Sequence, residues 1–203
     1  MNSKNAIAFI LSIIFLAACN KPKPSNIGDI KMSDYPVKVN DSWTYQVIDS
    51  LHHVTDTAIF SITAKTVVNS DSSIYNYQTT VNNVIVDTGT ITQAITGYAY
   101  FPTTSSYLFS TLKLRFPISG HSGWQGDSPA DTLYVLNSFQ SYTVLGKTYA
   151  NVYLINRRVM MVDNSLQATI YIAPSIGIIR EDFVASPWIP QNKSIRLISY
   201  SIN

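Results

Sequence analysis

Along Ile195-Arg196-Leu197-Ile198-Ser199-Tyr200-Ser201-Ile202 apolar and polar side chains exchange at nearly every position, and Leu112-Lys113-Leu114-Arg115-Phe116 repeats the pattern. A period of two places alternate side chains on opposite faces of an extended chain, so such segments are strands with one dry face and one wet face. No stretch of a dozen residues carries a helical stripe free of β-branched runs. Glu181 is the only glutamate, while Ser, Thr, Asn, Ile, Val and Tyr are plentiful, a mixture that favours pleated strands. A large helical bundle is excluded. With 203 residues, 46% of them hydrophobic and 13% charged, the chain has material for one sizeable core and is not disordered.

Strands are expected at Ser42–Asp49, Val54–Val68, Ile74–Asp87, Gly89–Phe101, Tyr107–Phe116, Thr132–Leu136, Tyr142–Val162, Leu166–Ala173, Ile176–Phe183 and Ser194–Ile202. Tyr142–Val162 is too long for one strand and is expected to turn at Gly146-Lys147. Asn69-Ser70-Asp71, Asn82-Asn83, Asp87-Thr88-Gly89, Asp163-Asn164-Ser165 and Pro174-Ser175 are turn chemistry suited to successive antiparallel hairpins. The expected fold is all-β: a single antiparallel meander curled into a half-open or closed barrel, because so many long strands must protect their edges and cover a dry face. A two-sheet sandwich is the alternative. Ser119–Ala130, with three glycines, reads as a loop at one rim or a bridge between halves.

The amino terminus reads as an address. Lys4 precedes an apolar run that ends in Leu16-Ala17-Ala18-Cys19, small residues directly before the only cysteine. An apolar run of about 13 residues, rising ~1.5 Å each as a helix, falls short of a hydrocarbon core about 30 Å thick. Residues 1–18 are therefore expected to be a lipoprotein signal peptide, 19–34 a lipidated Cys19 with a flexible tether, and 35–203 one β domain. Acylation of Cys19 supplies a stable membrane anchor and leaves no cysteine for an intramolecular disulfide. Asn20-Lys21-Pro22-Lys23 carries no acidic run, which points to the cell envelope with the domain on the periplasmic side of the outer membrane.

Three strings, Tyr35-Pro36-Val37-Lys38-Val39-Asn40-Asp41-Ser42-Trp43-Thr44-Tyr45, Val144-Leu145-Gly146-Lys147-Thr148-Tyr149-Ala150-Asn151-Val152-Tyr153 and Tyr171-Ile172-Ala173-Pro174-Ser175-Ile176-Gly177-Ile178-Ile179-Arg180, together resemble motifs of uncharacterised lipoproteins of the Bacteroidetes type. The resemblance spans most of the chain after the tether and implies a curled antiparallel sheet similar to the half-barrels of lipoprotein carriers and receptors. It implies no activity. Asn40 and Ser175 stand where the family pattern has glycine. Trp43 and Tyr45, at i and i+2 on one strand face, read as core.

Catalytic chemistry finds little support. Gly120-His121-Ser122-Gly123-Trp124 lacks the glycine two places after serine that a nucleophile elbow needs. His52-His53 would point to opposite faces of a strand, and neither zinc nor calcium spacing is present, so no metal or cofactor is expected. The aspartates mostly precede Ser or Thr at turn-like positions and read as turn caps. Positive residues are scattered over a net charge of +2, without the footprint of a nucleic-acid binder. Aromatics at i, i+2 remain: Tyr75, Tyr77, Tyr98, Tyr100 and Phe101 are the candidate ligand platform, with ordinary core packing as the competing reading. The chain is thus expected to be a non-enzymatic anchored lipoprotein that binds an apolar or lipid-like ligand. The alternative is a module docking on an outer-membrane protein complex, favoured if the interior is filled and an apolar patch is exposed.

Overall fold

The computed structural model describes residues 27–95, 97–101, 107–109, 112–126, 128–160, 165–184 and 192–203; Cys19 and the expected signal peptide lie outside them. Twelve strands form: β1 (Ser42–Asp49), β2 (Val54–Asn69), β3 (Ser72–Val81), β4 (Val84–Ala94), β5 (Tyr98–Phe101), β6 (Leu112–Arg115), β7 (Gly123–Gln125), β8 (Asp131–Val144), β9 (Lys147–Met160), β10 (Ser165–Ala173), β11 (Gly177–Val184) and β12 (Asn192–Ser201). They make one antiparallel sheet of order β6-β5-β4-β3-β2-β1-β12-β11-β10-β9-β8-β7, nearly closed into a barrel. The expected meander is what is observed, and the sandwich is not.

Every strand pairs with its neighbour in sequence except at one place. β6 and β7, consecutive in the chain, are the two edges of the sheet, and β1 pairs with β12 to join the ends of the meander. The Trp124 side chain of β7 spans this seam, its Nε1 donating to Lys113 O of β6 at 2.7 Å. One indole therefore stands where a ladder of backbone hydrogen bonds would complete the barrel.

Sequence explains most of the turns. Asn82 and Asn83 both take left-handed backbone, with φ of 52° and 64°, the mirror-type hairpin turn that matches strand twist. They split the expected strand Ile74–Asp87 between β3 and β4, and Asp87-Thr88-Gly89, expected as a turn, instead runs inside β4, where Gly89 makes room for the Tyr77 ring and not for a reversal. The β8–β9 turn falls on Leu145-Gly146, one residue before the position expected. Asn40 and Ser175 have φ of 75° and 58°, so both turns keep the left-handed backbone that glycine would take most easily. β8 runs far past Leu136, because a bulge between Val135 and Asn137 carries the polar stretch on into the ladder. Ser119–Ala130 contains β7 and is not wholly loop.

Packing begins before residue 35. Ile30 is fully buried and forms an isolated antiparallel bridge with Ile118, while Met32–Asp34 makes a single 3-10 turn. Residues 27–34 differ in this from the flexible tether expected there: an isoleucine that buries its whole side chain gains more than an extended polar spacer can offer. Tyr35 then packs against Phe116, the rings tilted by 55° with centroids 5.4 Å apart. The opening and late motifs meet inside, where Trp43 Nε1 donates to Ile176 O at 2.6 Å and Tyr45 OH to Ile178 O at 2.8 Å.

Candidate functional site

Inward positions along the strands can be read by parity. On β1 they are Trp43, Tyr45, Val47 and Asp49; on β2, Ile62, Phe60, Ala58 and Asp56; on β12, Leu197, Ile195 and Lys193. Each series starts apolar and ends on a charge, all at the end of the barrel where the β1–β2 hairpin turns. The interior therefore has an aromatic part and a charged mouth.

In the aromatic part, Phe60 lies 5.8 Å from Trp43 and 4.8 Å from Tyr77 between ring centroids. Phe109, from the segment between β5 and β6, inserts edge-on against Tyr45 and Phe60 at 5.4 and 5.5 Å. The space left among Tyr35, Trp43, Tyr45, Phe60, Ile91 and Phe109 is about 20 Å³, room for roughly one water molecule. No acyl chain fits there. Burial pushes the Tyr35 and Tyr45 hydroxyls far above their ordinary value, with the Glu181 charge adding to it at both and neighbouring tyrosines at Tyr45.

The mouth is open, a groove of about 420 Å³ lined by Val47, Asp49, His52, Val54, Asp56, Tyr107 and Lys193. Tyr107 OH donates to Asp56 Oδ2 at 2.5 Å, and Lys193 Nζ lies 4.9 Å from the centre of the same ring. At the rim, His52 Nδ1 is 2.7 Å from Asp49 Oδ2, and the His52 and Leu51 amides also donate to Asp49. These bonds, the one from the His52 ring foremost, lower the Asp49 carboxyl below its ordinary value. Desolvation, then the hydrogen bond to Asp56, then the charges of Asp56 and Asp49 raise Tyr107 to about 12. Lys193 is lowered, because burial outweighs the attraction of Glu181, Asp49 and Asp87. Among the described residues no three His, Cys, Asp or Glu side chains converge as a metal requires.

A second feature lies outside the barrel. β5 pairs with β4 only over Thr92–Ala94, so among the described residues Val84–Ile91 have a strand on one side alone. At the start of this edge Val84, Ile85 and Val86 are 62%, 56% and 44% exposed in succession. Such an edge offers unpaired backbone donors and acceptors together with apolar side chains.

Of the candidate ligand platform, the structure describes the side chains of Tyr75, Tyr77 and Tyr98. Tyr77 is buried against Phe60, its ring covering Gly89 so closely that a Cβ there would sit 2.6 Å from the hydroxyl. Tyr75 is buried with Lys65 Nζ over its ring, beside a shallow cleft of about 220 Å³. Tyr98 is half-buried beneath Lys113 and Arg115. The side chains of Tyr100 and Phe101 lie outside what is described, as does Cys19. Ser122 is held in its own turn, its Oγ donating to Ser119 O at 2.7 Å. Sequence reasoning read Asp49 and Asp56 as turn caps and did not reach Lys193; the signal that finds all three is parity, since each shares the face of the buried residues two and four positions away.

No protein-family model and no curated protein match the chain. Among solved structures, a protein from Bacteroides fragilis described as exported and of YmcC-like fold is similar at 10% identity and a TM-score of 0.47, covering 86% of this chain and all of its own. A protein from Parabacteroides distasonis described as a lipoprotein is similar at 9% identity and a TM-score of 0.43, with the same coverage.

Proposed function

We propose that the protein is an exported envelope lipoprotein, anchored through Cys19, that works without catalysis as a docking module for an outer-membrane protein partner. The observation that carries this reading is the β4 edge. Three consecutive β-branched residues stand exposed on a strand that, among the described residues, has no partner on one side, an arrangement soluble proteins usually blunt with charge, proline or a covering element. An extended partner segment adding to that edge satisfies its backbone groups and covers its side chains. The close packing of Tyr35, Trp43, Tyr45, Phe60, Ile91 and Phe109 supports docking over storage of an apolar ligand among those rings.

Anchoring is tested by acyl-chain labelling in cells, which Cys19→Ser abolishes if the reading holds. Docking is tested by a photo-crosslinking residue at Ile85 in the anchored protein. The expected result is one discrete outer-membrane protein adduct, lost when Val84 and Val86 become lysine and absent from a probe at Val67, a somewhat more exposed residue near the β2–β3 turn. No adduct at 85, or the same adducts from 67, overturns the docking reading.

A further inference from the structure

Residues 27–38 cross the end of the barrel opposite the charged mouth. Ile27 O accepts from Tyr153 OH of β9 at 3.3 Å, Ile30 bridges Ile118, and Asp34 O accepts from the Ser175 amide in the β10–β11 turn. Met32 and Ser33 line a cleft together with Ile95 and the β2–β3 turn. On this side β2 outruns β1. Its pairing with β1 ends at Ser61, so among the described residues 63–69 pair with β3 alone and project past the end of the wall.

The projecting part carries apolar side chains in the open. Val67 and Val68 are 66% and 55% exposed, and Ile95, in the adjacent β4–β5 turn, is 74% exposed, the most of any large apolar side chain among the described residues. The Ile95 amide donates to Asp71 O at 2.8 Å, so the two turns form one rim. Single exposed apolar residues are ordinary, whereas three on one rim make a patch. Charge is balanced around it: over residues 27–38 and 63–73, Lys31, Lys38 and Lys65 stand against Asp29, Asp34 and Asp71. Where the chain comes from decides what covers this patch. Ile27 follows Cys19 by eight residues, which reach about 29 Å at most when fully extended. The mouth lies a further strand away, about 26 Å for the eight residues of β1. A membrane that holds Cys19 therefore meets the rim before the mouth.

We infer that this rim rests on the leaflet that holds the protein's own anchor, with Val67, Val68 and Ile95 in the headgroup region and the charged mouth turned away from the membrane. The inference rests on anchoring through Cys19 and is independent of docking at the β4 edge. Acyl chains hold the protein to the membrane without fixing its orientation, and burial of the apolar rim in the interface fixes it. Because the charges balance, zwitterionic lipid suffices and added salt has little effect.

Cys19 is the only cysteine, and acylation occupies its thiol, so an introduced cysteine gives a single site for a fluorophore. The full chain, purified from the membranes of the producing cells, is reconstituted into phosphatidylcholine vesicles with and without lipid carrying a nitroxide quencher at its headgroup. Labels at Val67→Cys and Ile95→Cys are compared with labels at two exposed controls, Val84→Cys at the mouth end of β4 and Leu136→Cys on β8. Quenching at 67 and 95 is expected to exceed that at 84 and 136 severalfold and to be unchanged by added salt. Val67→Asp with Val68→Asp is expected to reduce quenching at 95 while acylation, read from the intact mass, stays complete. Acylated protein that floats with the vesicles but is quenched equally at all four positions, or more at 84 or 136, overturns the inference and leaves anchoring intact. A mass without acyl chains overturns anchoring and this inference with it.

Discussion

Tyr107 and Phe109 are two residues apart in one irregular segment, yet they serve opposite ends of the interior. Phe109 packs edge-on between Tyr45 and Phe60, in a cluster with space for little more than a water molecule. Tyr107 lies at the charged mouth, hydrogen-bonded to Asp56 and capped by Lys193. The segment is therefore a partition: one ring completes an apolar core while the other forms part of a polar wall. A barrel built this way keeps its stability and its chemistry in different places, so a change in one should leave the other largely intact.

The largest expected effect comes from Phe109→Ala. Truncating a buried aromatic costs about 3–5 kcal/mol through lost transfer energy and the cavity left behind, and urea unfolding should show a loss of that size. A loss below about 1 kcal/mol, in the range of an ordinary surface change, would mean that the segment rests against the core without completing it, and the partition would fail.

Next is Tyr107→Phe, which deletes only the hydroxyl. Removing one part-exposed hydrogen bond to a carboxylate should cost about 1 kcal/mol. The sign of its pH dependence sharpens the contrast with Phe109. The folded-state value of Tyr107, about 12, lies above the ordinary value of 10, so the unfolded chain ionises first as pH rises. Its contribution is complete below pH 10 and is lost as pH rises through 12. Unfolding measured across that interval should show a shallower alkaline decline in Tyr107→Phe than in the wild type, and an identical slope would remove Tyr107 from the account of the mouth.

Much of the fold was legible because period 2 is a direct consequence of strand geometry. β1 was placed to the residue, and β10, β11 and β12 nearly so, since turn residues bound them. Tyr107–Phe109 was misread as strand for a physical reason. Its aromatic residues have high strand propensity, but burial of Phe109 in a tertiary cluster overrides that preference, and no local pattern encodes it. The mouth was hidden differently: Asp49 and Asp56 each precede Ser or Thr, a pairing that reads as turn capping, although their parity with Val47 and Ala58 placed them inside. Trp124 gave no signal at all, because its role depends on two sheet edges meeting after everything else has formed.

At that seam a smaller effect is expected. Trp124→Phe keeps an aromatic ring beside the core but removes the donor to Lys113 O, leaving that carbonyl to find another partner. The cost should be about 1 kcal/mol. Faster amide exchange should be confined to β6, β7 and their immediate neighbours, with β1 and β12 unchanged. Global acceleration would mean that the single indole holds far more of the barrel than its one hydrogen bond accounts for.

The smallest effect has the opposite sign and belongs to the turn that feeds the aromatic end. Ser175 has φ of 58° and lies between β10 and β11, where the lipoproteins that this chain resembles carry glycine. Left-handed backbone costs a residue with a Cβ about 1 kcal/mol, while glycine adopts it freely but loses more entropy on folding. Those two terms oppose each other, so Ser175→Gly should stabilise by about 0.5 kcal/mol, measured as a raised urea midpoint at unchanged m-value. The Ser175 amide donates to Asp34 O at 2.6 Å, and glycine keeps that donor. His53, with φ of 54° in the turn at the charged mouth, provides the matched control. If His53→Gly stabilises as Ser175→Gly does, left-handed strain is a general property of this chain's turns. If only Ser175→Gly stabilises, the turn beside Trp43 and Ile176 is held in its conformation by the aromatic core, and the two ends of the barrel differ in rigidity as well as in chemistry.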